Sequence, residues 1–235
     1  MYLQQFSAEL KKTWDGSLFT VKDAAHIDVR AKEYLHRLGK LGEVHRVYWG
    51  WYYIPEAERD VWSFLGGDKG FKVVVKQTAA SIWNYDFVHR NVYRLAVEDR
   101  SYKKALEEFG KEKGWIFEVE YHDEMPYAYR EVDGLLIEAP ESCVASCIAD
   151  WAFMDAFAIL YFRRDEVSLN SIRALGRWKR ISGTNTRVWS AVKYGCNLFN
   201  THVGEGVFDV RRTSLRQEDI KELVEEAVEK VVEFA

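Results

Sequence analysis

The sequence contains few of the residues that build cross-linked, collagen-like or low-complexity proteins. Its 235 residues include only 3 prolines, 3 cysteines and 15 glycines. An odd cysteine count does not make a complete disulfide framework and is typical of a reducing compartment. So little proline and glycine excludes collagen-like and low-complexity chains.

Long hydrophobic runs are also missing. No run approaches the roughly 18 apolar residues of a membrane-spanning helix. The start, MYLQQFSAELKK, has no basic stretch leading into an apolar one, so it does not resemble a secretory signal. These absences predict a cytoplasmic protein with no membrane partner. The scarcity of Asn (six) and Gln (four) beside many charged residues favours a thermophilic source.

What the sequence does contain is enough apolar material for a core. Hydrophobic residues make up 48% of the chain and charged residues 30%, which excludes wholesale disorder. A turn-rich cluster, Gly66-Gly-Asp-Lys-Gly70, separates two differently patterned blocks. We therefore predict an α+β protein with an N-terminal domain at 1–60, a mixed α/β domain at 70–212 and an acidic amphipathic helix at 213–235.

The first block has the pattern helix, helix, helix, hairpin. Apolar residues recur at three-to-four spacing in 2–12 and again along RAKEYLHRLGKLG, while Thr20-Val-Lys-Asp23 is a capping-box-like helix start. Strand formers follow in EVHRVYWGWYYIP, with Trp49-Gly50 at a tight turn. Two helices at a turn followed by a hairpin predict a winged helix-turn-helix.

The remainder of the chain alternates strands and helices. Strands are predicted at 71–76, 91–97 and 115–121, a hairpin at Asp133-Gly134, and helices at 101–114, 141–162, 168–179, 184–196 and 215–234. The last helix carries apolar residues on one side and acids on the other. Its apolar side has two candidate partners, the same chain or a second copy in a homodimer.

In a winged helix, the third helix lies in the major groove of DNA, and the hairpin can reach the adjacent backbone or the minor groove. With Ala31, Leu35 and Leu38 turned inward, a polar face is left outward. Arg and Lys suit guanine edges and phosphates, whereas Glu33 has two roles open to it, accepting from cytosine or pairing with Arg37. The predicted contacts to double-stranded DNA are Thr20, Lys22, Arg30, Lys32, Glu33, His36, Arg37, Lys40, His45 and Arg46.

The stretch TVKDAAHIDVRAKEYLHRLGKLGEVHRVYWGWYYIP resembles the N-terminal domain of the abortive-infection type IV antitoxin family (AbiEi-like). The likeness rests on Tyr34-Leu-His-Arg-Leu38, Gly42, Arg46-Val47, Gly50 and Tyr52 or Tyr53. It extends loosely into LIEAPESCVASCIAD and RVWSAVKYGCNLF, within about 132–200. The resemblance implies a DNA-binding repressor of its own operon and antitoxin of a nucleotidyltransferase-type toxin.

Two alternative functions belong to other classes. Glu131, Asp133 and Glu138 are typical of the carboxylates that hold Mg²⁺ in nucleases, but such sites add a Lys just after the second acid, where this chain has Ala139-Pro140. A turn Asp and an exposed strand Glu are therefore the preferred interpretation. The other alternative is a winged helix that binds protein. We predict no enzyme, no catalytic or metal site and no cofactor.

A second basic region covers 163–193 and carries a net charge of +6 from eight bases and two acids. Within it, 173–187 places bases around Trp178, which favours either a second nucleic-acid contact or a helix–loop–helix with solvated cations. The acidic tail helix offers this region a partner of opposite charge. The sequence leaves these interpretations open.

Overall fold

The computed structural model of the protein is an α+β fold with two sheets. It describes residues 1–55, 60–67, 72–88, 91–125, 128–175, 185–211 and 213–235, with the side chains of 185–187 left out. The α+β class predicted from the sequence is thereby confirmed.

The first 55 residues form helices and a small antiparallel sheet, ordered β1-β3-β2. Their elements are α1 (Leu3–Trp14), β1 (Phe19–Thr20), α2 (Val21–Ala25), α3 (Ala31–Lys40), β2 (His45–Tyr48) and β3 (Trp51–Tyr53). Thr20 caps α2 in a capping box with Asp23, as predicted. Gly50, at φ +77, completes the predicted tight turn between β2 and β3.

A hydrophobic core holds this N-terminal block together. Phe6 of α1, Phe19 of β1 and Leu35 of α3 are all at most 1% exposed. Phe6 and Tyr34 bring their ring centroids to 4.9 Å. The three-to-four spacing in α1 and α3 therefore turns the apolar side chains to one shared core.

The second sheet has the strand order β6-β5-β4-β8-β7. Its strands are β4 (Val73–Val75), β5 (Val92–Val97), β6 (Ile116–Tyr121), β7 (Tyr129–Val132) and β8 (Leu135–Glu138). α4 (Val61–Gly67) precedes the sheet, and α6 (Arg100–Lys113) joins the parallel pair β5 and β6. A helical crossover is the connection that parallel neighbours require.

The chain divides into two compact units. The first consists of Met1–Val75, Asn91–Pro126 and Glu131–Ile137, and the second of Lys76–Arg90, Tyr127–Arg130 and Glu138–Ala235. The first unit thus combines the N-terminal block with α6 and most of the second sheet, whereas the domains predicted from the sequence are continuous segments.

Helices dominate the second unit. They are α5 (Ala80–Trp83), α7 (Pro140–Ala149), α8 (Phe153–Phe162), α9 (Leu169–Leu175), α10 (Asn185–His202) and α11 (Glu218–Phe234), with a 3₁₀ turn at Gln77–Ala79. The prediction of one helix over 141–162 is wrong, because α7 ends at Ala149 and α8 begins at Phe153. Between them Trp151 has φ +62, which is outside the helical region.

The apolar side of the acidic tail helix is covered within its own unit. Ile220, Val224 and Val228 of α11 are at most 1% exposed, and α11 packs against α8 and α10. The sequence left two partners open for this apolar side, the same chain and a second copy. The structure shows the first of them. A homodimer stays a prediction.

Candidate nucleic-acid interface

α3 presents a polar face opposite its buried one. Ala31, Tyr34, Leu35 and Leu38 are buried at three-to-four spacing, and each is at most 4% exposed. All predicted contact residues on the helix itself are exposed: Lys32, Glu33, His36, Arg37 and Lys40. The periodicity of the sequence thus identified this face.

The cations on this face differ in what they contact. Nη2 of Arg37 lies 2.8 Å from Oε1 of Glu33, one helical turn away. Of the two roles left open for Glu33, the structure contains the ion pair. Within the described part of the chain, Lys32, His36 and Lys40 form no ion pair. Lys32 and Lys40 are therefore the cations of α3 that have no counter-charge among the described residues.

Arg30, at the N-cap of α3, is engaged by its own chain. Its Nη2 donates to the carbonyl oxygen of Met1 at 2.8 Å. The neighbouring side chain of Tyr34 donates its hydroxyl to the same carbonyl. The backbone amide of Arg30 donates to Asp28 at 2.8 Å, which, with the guanidinium nearby, lowers the pKa of that carboxyl. Arg30 stays half exposed, at 51% for the side chain, but a substitution there would also remove one of the contacts that hold Met1.

α2 begins beside the turn of the hairpin. The hydroxyl of Thr20 accepts from the Asp23 amide at 3.2 Å, and the Thr20 amide donates to the Asp23 carboxylate at 2.8 Å. Thr20 pairs with Trp51 across the sheet, and the Val21 amide donates to Gly50 at 3.4 Å. Lys22 is exposed in the first turn of α2. The predicted contacts Thr20 and Lys22 therefore lie next to the hairpin tip.

The two predicted hairpin contacts have different surroundings. Nε2 of His45 is 3.3 Å from a carboxylate oxygen of Glu112 on α6. Arg46 instead lies towards the tip, with its guanidinium carbon 5.4 Å from the ring centroid of Trp49. His45 thus connects β2 to α6, while Arg46 is among the exposed residues of the hairpin.

Trp49 was missed by the sequence interpretation. Trp49 is 81% exposed, whereas Trp51, two positions later, is 2% exposed. The signal was present, because Trp49 and Gly50 form the two-residue turn between paired Tyr48 and Trp51, and turn residues lie at the surface. An exposed Trp beside an Arg that forms no ion pair with another described residue extends the candidate interface onto the hairpin.

The carboxylates proposed for the alternative nuclease site have unlike environments. Glu131 and Asp133 are exposed, but Glu138 is 0% exposed. The expectation of an exposed Glu138 is wrong, since Ser142 and Ser146 each donate a hydroxyl to its Oε1 at 2.8 Å. Among the described residues, no three His, Cys, Asp or Glu side chains are grouped so that they could hold a metal ion.

The second basic region is described only in part, since 176–184 and the Arg187 side chain lie outside the described residues. The described cations contact aromatic rings of their own unit. Arg163 lies over Tyr85 at 4.4 Å, and Arg173 and Lys193 lie over Trp189 at 5.8 and 5.9 Å. In the described portion, therefore, these bases are partly used for internal packing.

Comparison with known proteins adds no information about this interface. No family model and no curated protein matches this sequence. In the part of the chain that is described, none of the helices has the length and apolarity needed to span a bilayer.

Proposed function

We propose that the N-terminal block is a winged helix-turn-helix that binds double-stranded DNA in a sequence-dependent manner, with α3 as the major-groove helix and the β2–β3 hairpin as the wing. The observation that carries the proposal is the face of α3. It projects Lys32, His36 and Lys40 into solvent, and none of the three forms an ion pair with another described residue. Its opposite side is fixed to the core by Leu35 and Leu38.

The charge of Lys32 and Lys40 is available to phosphates because nothing in the described chain neutralises it. Exposed side chains spaced four apart lie along one face of a helix, from which Lys can bind phosphate oxygens and guanine acceptors in one groove. The ion pair between Arg37 and Glu33 reduces the contribution of Arg37 to that attraction. We therefore assign the main electrostatic role to Lys32 and Lys40.

The resemblance to type IV antitoxins supports a more specific proposal. On this view the protein is a cytoplasmic repressor of its own operon, not an enzyme. The residues outside the winged helix bind a nucleotidyltransferase-type toxin. Mixing the purified protein with the product of the neighbouring gene and following their co-elution by size-exclusion chromatography tests the toxin partner directly.

DNA binding is tested with a duplex from the region upstream of the protein's own gene and a scrambled duplex of equal composition. Lys32→Ala/Lys40→Ala should weaken binding to the upstream duplex by about tenfold or more. The slope of log K against log salt should also fall by nearly two, since each phosphate contact contributes about 0.9. Fluorescence anisotropy measures both quantities.

The matched control removes two exposed lysines from the same compact unit, Lys12→Ala/Lys104→Ala. Within the described chain neither lysine forms an ion pair. The control should bind like the wild type. If both double variants lose affinity equally, binding follows net charge and not the face of α3; if the wild type binds both duplexes alike, the sequence-dependent function is wrong.

A further inference from the structure

An exposed cluster of aromatic rings lies in the second compact unit, where the segment after α5 meets the ends of α8 and α11. The ring centroid of Phe162 is 5.9 Å from those of both Tyr85 and Phe87, and Phe87 meets Phe234 at 4.8 Å. Tyr85 is 64% exposed and Phe234 is 70% exposed. We call these four rings the aromatic patch. Contiguous apolar surface of this kind marks an interaction site.

The backbone that presents Tyr85 is strained. Tyr85 and Asp86 have φ +55 and +60, in the left-handed region that bulky residues rarely adopt. The Asp86 amide donates to the Ser81 carbonyl at 2.8 Å and thereby closes the end of α5. Helices that end in this way usually have glycine where this chain has Tyr85. Because backbone strain collects at functional sites, the ring at this position indicates a role beyond ending the helix.

One side of the Tyr85 ring is supported by Arg163, whose guanidinium carbon lies 4.4 Å from the ring centroid. The guanidinium is itself fixed, since its Nε donates to the Trp83 carbonyl at 3.0 Å and its Nη1 donates to the Glu166 carboxylate at 3.1 Å. The ring is therefore held in place before any partner binds. Such a ring loses little conformational entropy on binding, which favours it as a residue that contributes much of the binding energy.

Charges of both signs border the aromatic patch. The guanidinium carbon of Arg164 lies 5.2 Å from the ring centroid of Tyr161, and that ring is 5.5 Å from Phe162. Asp86 and Glu233 are each next in the chain to a ring of the patch. These three charged residues are exposed, and none of them forms an ion pair with another described residue. A partner must therefore supply both an acid and a base.

A second copy of the same chain supplies both. In a dimer with a two-fold axis, a contact from one residue to another is repeated in the reverse direction. An acid on one copy and a base on the other thus form two ion pairs while the rings are covered. A partner with charge of one sign would instead place like charges together at one border.

We propose that the aromatic patch is the interface of a symmetric dimer of this chain. Tyr85 of each copy packs against the rings of the other, and Arg164 of each copy pairs with Asp86 of the other. The dimer adds a second winged helix-turn-helix to the assembly, but its formation does not depend on DNA.

The mass of the protein in solution tests the dimer, by light scattering after size-exclusion chromatography over a dilution series. The wild type should have twice the mass of one chain. Tyr85→Gly removes the ring and also relieves the backbone strain, so this variant should fold, as thermal unfolding would show. Its dimer dissociation constant should nevertheless rise by about thirtyfold or more. Tyr85→Phe keeps the ring and should remain dimeric.

Trp151→Gly is the matched control. Trp151 also belongs to the second unit, is 46% exposed and has φ +62, but it lies outside the aromatic patch. The same change from an exposed aromatic residue to glycine should therefore leave the dimer intact. Equal dissociation of both glycine variants would overturn the proposal, because association would then not depend on the patch.

Charge reversal tests the pairing across the axis. Arg164→Glu and Asp86→Lys should each be monomeric, because each variant places two pairs of like charges across the interface. An equimolar mixture of the two variants should form a heterodimer, in which both pairs are attractive again. A mixture that stays at the mass of one chain would overturn the proposed interface.

The proposal is also overturned if the wild type has the mass of one chain at every concentration, or if Tyr85→Gly dimerises as tightly as the wild type. A wild-type monomer that binds some other protein through the patch is one form of the first outcome. None of these measurements includes DNA, so the proposed DNA-binding function is judged separately.

Discussion

Nε2 of His45 lies 3.3 Å from Oε1 of Glu112, which connects the first strand of the hairpin to a helix 67 residues later in the chain. The His45 ring also meets Tyr53 edge-on at 5.3 Å. His45 thus contributes to the support of the hairpin. Of the two predicted hairpin contacts, Arg46 is the one that the proposed DNA binding would use.

This division of roles gives the first prediction. His45→Ala should leave affinity for the upstream duplex within about twofold and lower the free energy of unfolding by less than about 1 kcal/mol, since the pair is solvent-exposed. Anisotropy titration and urea unfolding measure the two effects. A loss of DNA affinity equal to that of Arg46→Ala would return His45 to the interface.

The second prediction concerns the capping box of α2. Thr20→Ala removes the hydroxyl that accepts from the Asp23 amide and should destabilise the protein by about 1 kcal/mol. Thr20→Ser keeps the acceptor and should remain close to the wild type. Urea denaturation midpoints compare the three proteins, and equal losses in both variants would show that the methyl group, not the cap, matters.

The third prediction contrasts two helical glycines. A Cβ on Gly39 of α3 would meet only the Val44 carbonyl at 3.7 Å, so Gly39→Ala should stabilise the protein by roughly 0.5–1 kcal/mol. A Cβ on Gly195 of α10 would overlap the buried ring of Phe157 and come within 2.6 Å of its Cζ. Gly195→Ala should therefore destabilise by about 2 kcal/mol or more. Thermal unfolding shows whether each variant raises or lowers the melting temperature. Two shifts in the same direction would contradict the packing described.

The fourth prediction concerns the buried thiols. The contact with Cys147 and burial raise the pKa of Cys143 well above its ordinary value, and burial raises that of Cys196 to about 12. Native protein at about pH 8 should therefore react negligibly with an aromatic disulfide reagent, whereas unfolded protein should titrate all 3 cysteines. Rapid native labelling would contradict the burial.

The same shift has a consequence for stability. The folded-state pKa of Cys196 is raised, so its contribution to stability is complete below about pH 9 and is lost as the pH rises towards 12. Tyr194, whose pKa burial and Glu225 raise to about 12, adds to this loss. Stability of Cys196→Ala should fall less steeply over that range than stability of the wild type, as followed by urea unfolding at successive pH values. If the stabilities of the two proteins fell in parallel as the pH rises, ionisation of the Cys196 thiol would be excluded as a cause of the loss.

Local patterns in the sequence predicted local structure well. The capping box at Thr20, the buried stripe of α3 and the turn at Trp49-Gly50 each depend on residues within a few positions of one another. Short-range hydrogen bonding and side-chain periodicity determine such features. The exposure of Lys32 and Lys40 follows from the same periodicity.

Features that depend on distant residues could not be predicted. Apolar residues continue through 141–162, so periodicity alone does not reveal the break at Trp151, where Gln77 donates to Asp150 at 2.5 Å from another part of the chain. The contact of Arg30 with Met1 and the burial of Glu138 against Ser142 likewise result from tertiary packing. Single-residue preferences carry no information about these partners.

The aromatic contacts between the hairpin and α6 limit how the N-terminal block can be truncated. Trp51 and Tyr53 are covered by Tyr102 and Phe109, which come about fifty residues later. A fragment cut near residue 60 would leave these rings facing water and would tend to self-associate. The N-terminal block is therefore not expected to fold as an autonomous module, and a fragment that contains it should include α6.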